Sequence, residues 1–249
     1  MERSYQILFE ILYEKYSINE IVEMFEGPLR IYERDMLNYP VLDIGLGLGI
    51  DSIHFAKKGH KVFAVDNDDV LIKLFEIKIK EYEVQFHSKL DIEILNQSYP
   101  NIIIPETKLS LIIASNLFHF FDIETVRQSI IGLDKYLVQN SMIYIQVHSV
   151  NHPSNDLSKG DERFKHFKHY FKKEEVINLF YELNYDTIYV SEYNKLSPYD
   201  ELNITKEWCV RQFIEFKKYK REDSRIQSFV EKNVKLSSEQ CIIVIMRKK

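Results

Sequence analysis

Three glycines at alternate positions constrain this chain more than any other feature of its sequence. Residues 41–66 read VLDIGLGLGIDSIHFAKKGHKVFAVD, and Gly45, Gly47 and Gly49 follow the first apolar run. A glycine costs a helix or a strand about 0.5–1 kcal/mol relative to alanine, so this spacing indicates a main chain that needs positive φ or close approach to a ligand. The chain has only seven glycines in 249 residues, so a chance cluster is not expected.

The residues around these glycines predict a strand, a tight turn, a helix and a second strand. Residues 41–44 form a short apolar run, which favours a buried parallel strand. A helix is expected over residues 50–58, ended by Gly59, and a second strand over residues 61–65. Asp66 closes that strand 21 positions after the first glycine. An acidic side chain meets ribose hydroxyls at a spacing of roughly 20 residues in nucleotide-binding βαβ units.

The glycine spacing separates two classes of cofactor. A dinucleotide fingerprint, G-x-G-x-x-G, would place its third glycine where this chain has Ile50. The pattern Asp43-x-Gly45-x-Gly47-x-Gly49 instead resembles the first motif of the class I S-adenosylmethionine (SAM) methyltransferases, E/D-x-G-x-G-x-G. The resemblance implies SAM as the cofactor and S-adenosylhomocysteine (SAH) as the product. Tellurite-resistance and thiopurine-type small-molecule methyltransferases are the most similar families.

The resemblance, which covers residues 40–150 and the C-terminal third only in outline, also implies an α/β fold. We expect a Rossmann-like, seven-stranded sheet with a final antiparallel strand and helices on both faces. N-terminal helices and C-terminal insertions would form a cap. The single domain, residues 1–249, would consist of a helical lid, a SAM-binding core and two cap insertions, at residues 1–39, 40–150, 151–170 and 191–240. Further strands are expected over residues 92–95, 109–114, 142–147, 187–190 and 242–246, and helices over residues 70–83, 123–136 and 172–183.

Ten residues would hold the cofactor if the family pattern applies. They comprise the motif, the acidic end of the second strand and polar residues after the third and fourth strands: Asp43, Gly45, Gly47, Gly49, Asp66, Asn67, Asn96, Gln97, Ser115 and Asn116. The family usually contacts adenine with an acidic or amide residue after the third strand, and this chain has no Asp there. Asn96 and Gln97 are therefore the expected contacts, with solvated loop residues as the alternative.

Catalysis by such a protein requires few catalytic side chains. Methyl transfer from a sulfonium is an in-line displacement, so a base is needed only if the nucleophile must lose a proton. His119 and His148 are the candidate catalytic residues, and His152 and Asp156 stand near them in the sequence. Apolar neighbours on both sides of His119 favour a structural imidazole over a base.

The composition indicates in which cellular environment the protein is expected. No apolar run approaches the roughly 18–20 residues of a membrane span. Acidic residues interrupt the first apolar stretch, which is not typical of a signal peptide. The two cysteines have neither disulfide nor zinc spacing, so we expect a cytoplasmic protein with no metal and no membrane partner. The oligomeric state is left open.

Positive charge is concentrated in the two insertions of a chain whose net charge is −5. Residues 159–173 contain six Lys or Arg against two acidic residues, and residues 206–235 contain nine against five. A basic rim would attract an anionic substrate, whereas solvated helix faces with i,i+4 ion pairs would give the same composition.

The leading expectation is a SAM-dependent methyltransferase acting on a small-molecule acceptor, with an anionic acceptor as one option. An RNA or protein methyltransferase that uses the basic cap is the alternative, and a non-catalytic SAM-binding subunit is a third. Nucleic acid is disfavoured, though not excluded, because the N/D-P-P-Y/W motif of base-modifying methyltransferases is absent after the fourth predicted strand.

Overall fold

A seven-stranded sheet organises the protein. The computed structural model describes residues 3–24, 27–105, 108–195, 201–234 and 239–249. The strands are β1 (Val41–Ile44), β2 (Val62–Asp66), β3 (Ile92–Asn96), β4 (Leu109–Ser115), β5 (Leu137–His148), β6 (Tyr185–Lys195) and β7 (Glu239–Lys248). Their order is β3-β2-β1-β4-β5-β7-β6, and β7 runs antiparallel to both of its neighbours. The expected Rossmann-like sheet with a final antiparallel strand is confirmed.

The described residues contain nine α-helices around this sheet. They are α1 (Arg3–Lys15), α2 (Ile18–Met24), α3 (Leu29–Tyr32), α4 (Ile50–Lys57), α5 (Asp69–Phe86), α6 (Ile123–Asp134), α7 (Lys173–Asn178), α8 (Glu201–Lys217) and α9 (Ser224–Asn233). Apolar residues of α1 to α5 share one core with one face of the sheet, and those of α6 and α7 share a second core with the other face. Helices therefore cover both faces, as expected.

Strand alternation divides the side chains of β5 between the two cores. Met142 and Tyr144 lie in the core beneath α1, whereas Ile143, Ile145 and Val147 lie in the core beneath α6. This is the period of two that a strand buried on both faces requires.

Several predicted elements have different lengths in the structure. β5 begins at Leu137 rather than at residue 142, and β6 extends to Lys195 rather than to residue 190. Ladder hydrogen bonds need no apolar side chain, so the polar end of β6 pairs with β7 although the sequence there lacks an apolar run. The start of β5 pairs with β4 through Leu137 and Leu109, before an irregularity in the register. The helix predicted over residues 172–183 ends at Asn178, where i→i−3 turn bonds such as Tyr181 N–H to the Asn178 carbonyl take over.

Both insertions leave the carboxyl edge of the sheet, which is where ligands bind in open α/β folds. The first follows β5, and the second, which contains α8 and α9, follows β6. Helix α8 packs against α1, so the N-terminal helix and the second insertion form a joined layer. Residues 196–200 and 235–238 of the second insertion, which include the basic residue Lys235, lie outside the described residues.

Candidate cofactor and acceptor site

The glycine turn after β1 is built from left-handed backbone. Gly45, Gly47 and Gly49 have φ of +75°, +52° and +63°. A Cβ at Gly49 would lie 1.9 Å from the buried ring of Phe75, so packing alone excludes a side chain there. At Gly47 the nearest atoms would be those of the Phe9 ring, 3.8 Å away. Gly49 therefore serves the fold, while Gly47 leaves its main chain accessible to a ligand.

Asp66 lies beside this turn at the end of β2 and is 8% exposed. Its Oδ1 accepts the N–H groups of Asn67 at 2.8 Å and Asp68 at 3.0 Å, and its Oδ2 lies 3.4 Å from the N–H of Gly47. Burial raises the pKa of this carboxyl, and the backbone donors oppose the rise. A carboxylate accepts about four hydrogen bonds, so Oδ2 keeps capacity for the hydroxyls of a ribose. The turn and this carboxylate fit an adenosyl group.

Asp43 is directed away from the surface of the turn. It is 3% exposed, and its Oδ2 accepts the hydroxyl of Ser52 at 2.6 Å, which ties β1 to the first turn of α4. Burial, followed by the nearby charge of Asp51, holds the pKa of Asp43 well above its usual range. Asp43 therefore supports the turn from below, and its role in holding the cofactor stays a prediction.

The polar residues after β3 bond to one another and to the loop. Asn67 Nδ2 donates to Ser98 Oγ at 3.1 Å, and Asn96 Nδ2 donates to Asp69 at 2.8 Å. The amide of Gln97 pairs with both backbone groups of Ile103, at 2.7 and 2.8 Å. The side chain of Gln97 thus holds the loop that follows β3, and an adenine contact from it stays a prediction.

Ser115 and Asn116 end β4 next to the glycine turn. Asn116 adopts φ of +55°, and the following residue, Leu117, would lie 3.2 Å from a Cβ at Gly45. The N–H of Asn116 donates to the carbonyl of Gln146 at 2.8 Å, and Gln146 Nε2 donates to Asn116 Oδ1 at 3.0 Å. The end of β4 is therefore hydrogen-bonded to β5, and Leu117, which follows it, lies against the turn.

A second polar group on β5 and β6 was not found by sequence reasoning. Gln146 Oε1 accepts the hydroxyls of Tyr144 at 3.0 Å and Tyr193 at 3.2 Å. The sequence does indicate part of this group, because the alternation in MIYIQVH places Tyr144 and Gln146 on one face of the strand. Tyr193 is distant in sequence, and only the pairing of β6 with β7 brings it near.

The candidate catalytic histidines lie in a stack of imidazoles. The His119 and His148 rings are 3.7 Å apart with an interplanar angle of 9°, and those of His148 and His152 are 4.0 Å apart at 12°. Phe167 meets all three rings edge-on. Burial lowers the pKa of His119 to about 3 and that of His152 to about 4.

His119 is 1% exposed, and its Nδ1 accepts the N–H of His148 at 3.3 Å. These contacts favour the structural imidazole, and a role as base stays a prediction for both His119 and His148. Asp156 caps the 3-10 helix Leu157–Phe164 by accepting the N–H of Ser158.

Helix α1 covers the edge of the site. Gln6 Nε2 donates to both carboxylate oxygens of Asp68, at 3.0 and 2.8 Å, and the Tyr13 hydroxyl donates to the Leu48 carbonyl at 2.7 Å. Helix α8 is fixed to α1 in turn, since Trp208 Nε1 donates to the Ser4 carbonyl at 2.6 Å. Helices α1 and α8 thus form a layer over the site, called the roof below. This layer is hydrogen-bonded to the glycine turn through Tyr13.

Ion pairs take up several cations of the second insertion. Arg211 binds Glu14 and Glu207, and Arg221 also binds Glu207. Arg225 pairs with Asp223. These pairs correspond to the solvated-face alternative for that stretch rather than to a rim of unbalanced positive charge.

Two further classes of site are absent from the described part of the chain. No group of three or more His, Cys, Asp or Glu side chains there is arranged to hold a metal ion. None of its helices has the length and apolar character that crossing a membrane would require.

Comparisons with known proteins bear on the fold and the family. Residues 41–139 match the family model described as a methyltransferase domain. No curated protein sequence matches the chain significantly.

Three solved structures illustrate the likeness in fold. A putative sarcosine dimethylglycine methyltransferase from Galdieria sulphuraria has a TM-score of 0.62 at 15% identity, covering 93% of this chain and 86% of that one. A SAM-dependent methyltransferase from Methanosarcina mazei has a TM-score of 0.61 at 13% identity, covering 90% and 98%. Coclaurine N-methyltransferase bound to N-methylheliamine and SAH has a TM-score of 0.58 at 13% identity, covering 93% and 70%.

The family match spans β1, the glycine turn, Asp66 and the end of β4, which are the parts of the chain that fit an adenosyl group. The sheet order and the antiparallel last strand agree with the similar structures. Residues 41–139 therefore match a methyltransferase domain, and the chain as a whole has a fold similar to that of solved SAM-dependent methyltransferases.

Proposed function

We propose that the protein transfers the methyl group of SAM to a small-molecule acceptor by in-line displacement. The observation that carries this proposal is the roof over the site. Helix α1 is bonded to Asp68 and to the Leu48 carbonyl, and α8 is bonded to α1 through Trp208. A bonded roof suits an acceptor small enough to be enclosed, whereas an RNA or a protein surface needs open access to the strand ends.

The main chain of the glycine turn and the Asp66 carboxylate would hold the adenosyl part of the cofactor. Ser115 and Asn116, which lie next to the turn, would meet its methionine part. SAM supplies an electrophilic methyl carbon on its sulfonium. The protein contributes orientation and the exclusion of water, and fixing two reactants in a near-attack geometry is worth roughly 7–11 kcal/mol of barrier.

Positioning rather than proton transfer is proposed as the main contribution of the side chains. The His119 imidazole is buried in its stack and accepts a backbone N–H, so it is not placed to remove a proton from an acceptor. An acceptor whose nucleophilic atom can attack before losing a proton, such as a neutral amine nitrogen, needs no base.

An anionic acceptor remains a narrower version of the proposal. The first insertion supports it through the exposed basic residues between Lys159 and Lys173. The second insertion supports it less, because Arg211, Arg221 and Arg225 are ion-paired.

Transfer of labelled methyl groups tests the proposal. The protein is incubated with methyl-labelled SAM and a cell extract, which is then separated into small-molecule, RNA and protein fractions. Label in the small-molecule fraction is the expected result. Label in RNA or protein, with activity falling steeply as salt is raised, would favour the alternative that uses the basic cap. SAH binding without transfer to any fraction would indicate a non-catalytic subunit.

A further inference from the structure

A buried polar patch lies on the sheet face beneath α1. Gln146 is 4% exposed and Tyr144 is 5% exposed, and both point to the same side of β5 as the core residue Met142. Burying neutral polar groups is unfavourable unless they are hydrogen-bonded, and an apolar strand would avoid the problem. The patch therefore calls for a reason beyond packing.

The hydrogen bonds of the patch fix its polarity. Gln146 Nε2 donates to Asn116 Oδ1 at 3.0 Å, which turns Gln146 Oε1 toward the tyrosines. The Tyr144 hydroxyl donates to that oxygen at 3.0 Å and the Tyr193 hydroxyl at 3.2 Å. A phenol has a single proton, so the Tyr144 oxygen can act toward any other group only as an acceptor.

The patch adjoins the cofactor turn. Gln146 lies opposite Ser115, the last residue of β4, and Asn116 is bonded to Gln146 through both its backbone and its side chain. On the other side of Tyr144, a Cβ at Gly27 would lie 3.8 Å from its hydroxyl oxygen. The Tyr144 hydroxyl thus lies between the ends of the central strands and the N-terminal segment that crosses them.

The groups of the patch are neutral. Asn116, Gln146 and the two tyrosines carry no charge in their ordinary states, and burial raises the pKa of Tyr144 well above its usual range. Among the described residues, the ionisable groups that act on Tyr144 are Asp51, Tyr193, Arg30 and Cys241, and Asp51 forms an ion pair with Arg30 at 3.0 Å. Tyr144 can therefore accept a hydrogen bond from a ligand, but it cannot act as a phenolate base.

We propose that Tyr144, oriented by Gln146, is a specificity-determining residue that selects an amine as the methyl acceptor. This inference rests on the proposed small-molecule methyl transfer. An N–H of the amine donates to Tyr144 Oη, and the nitrogen lone pair attacks the methyl carbon. The new C–N bond forms as the S–C bond breaks, the sulfur keeps the bonding electron pair, and the product ammonium releases a proton to water. An alcohol would need a base, and none of the four described side chains of the patch is one.

Matched amines and alcohols test the inference. The protein is assayed for SAH formation with the pairs 2-phenylethylamine and 2-phenylethanol, and cyclohexylamine and cyclohexanol. Calorimetry measures binding of the same amines to the SAH-bound protein, and binding of SAH alone. We expect transfer to amines over alcohols. We also expect kcat/KM to rise with pH toward the pKa of the free amine, because the neutral amine is the nucleophile.

Tyr144→Phe removes the acceptor oxygen and keeps the ring. It should raise the KM and the Kd of the amine about tenfold, as expected for loss of a buried hydrogen bond, and leave SAH affinity unchanged. Tyr185→Phe is the matched control, because Tyr185 is also buried but bonds to Asp134 at the opposite end of the sheet. Thermal unfolding of both variants checks that each has folded.

Three results would overturn the inference. One is preference for the alcohols. Another is an unchanged amine Kd in a folded Tyr144→Phe protein. The third is a protein that binds SAH but neither binds nor methylates any of the amines. Label found in RNA or protein would instead contradict the proposed function itself, so the two failures are distinguishable.

Discussion

Substitutions at two neighbouring glycines of the turn are predicted to differ in effect: one mainly lowers stability, and the other mainly lowers cofactor affinity. In Gly49→Ala, the new Cβ would lie 1.9 Å from Cε2 of Phe75, whose side chain is fully buried. Carbon atoms prefer about 3.5–4.0 Å, so the ring or the turn must move by more than an ångström. Overpacking of a core typically costs about 1–3 kcal/mol, and left-handed backbone costs a residue with a side chain about 1–2 kcal/mol more.

We therefore expect Gly49→Ala to lower the free energy of unfolding by about 2–5 kcal/mol, a large share of the roughly 5–15 kcal/mol of a typical domain. Gly47→Ala has the same left-handed strain but no atom closer than 3.8 Å, so it should lose about 1–2 kcal/mol. Its methyl group would instead enter the proposed cofactor site beside the main chain, and SAH affinity should fall.

Urea denaturation followed by circular dichroism measures the stability of each variant, and calorimetric titration with SAH measures binding. Gly132→Ala is the control, because Gly132 lies inside α6 with open space around it. That change should stabilise the protein by about 0.5–1 kcal/mol. A Gly49→Ala protein as stable as the wild type, or a Gly47→Ala protein that binds SAH as the wild type does, would refute the reasoning.

Two further predictions concern the histidine stack and the roof. His119 and His152 are held neutral by pKa values of about 3 and about 4, while an unfolded histidine titrates near 6.5, so stability is full above about pH 6.5 and is lost as pH falls below it. Urea denaturation should show a loss of about 2 kcal/mol per histidine between pH 7 and pH 5, and His152→Phe should make that dependence shallower; equal slopes would contradict the assignment. Trp208→Phe removes the hydrogen bond to the Ser4 carbonyl and should cost about 0.5–1.5 kcal/mol, with faster hydrogen exchange in α1; unchanged exchange there would show that α8 does not hold the roof.

The glycine turn and Asp66 could be predicted because their signal is local. The spacing of the glycines, the apolar run before them and the acidic residue after the second strand all fall within residues 41–66. The positive φ of all three glycines and the place of Asp66 beside Gly47 agree with that interpretation. Sheet order followed from the family resemblance, since apolar runs give strands but no order.

The acceptor side could not be predicted because its parts are distant in sequence. Tyr193 reaches Gln146 because β7 places β6 within reach of β5, and no pattern within either strand reports that contact. The stack of His119 and His148 depends likewise on the pairing of β4 with β5. Local patterns record propensity and burial, whereas side-chain contacts between strands appear only once the sheet has formed.

The central claim is that Asp66, beside the glycine turn, holds the adenosyl group of the cofactor. Calorimetric titration of SAH into the wild type, Asp66→Asn and Asp69→Asn tests it most directly, since Asn keeps the shape of each side chain and Asp69, a nearby carboxylate, accepts an exposed hydrogen bond from Asn96. A hydrogen bond to a charged group is worth about 1.5–3 kcal/mol, so Asp66→Asn should bind SAH at least about tenfold more weakly. The wild type and Asp69→Asn should bind it alike, at one site. Equal affinity of Asp66→Asn and the wild type, or a wild type that binds NADH instead of SAH, would contradict the account.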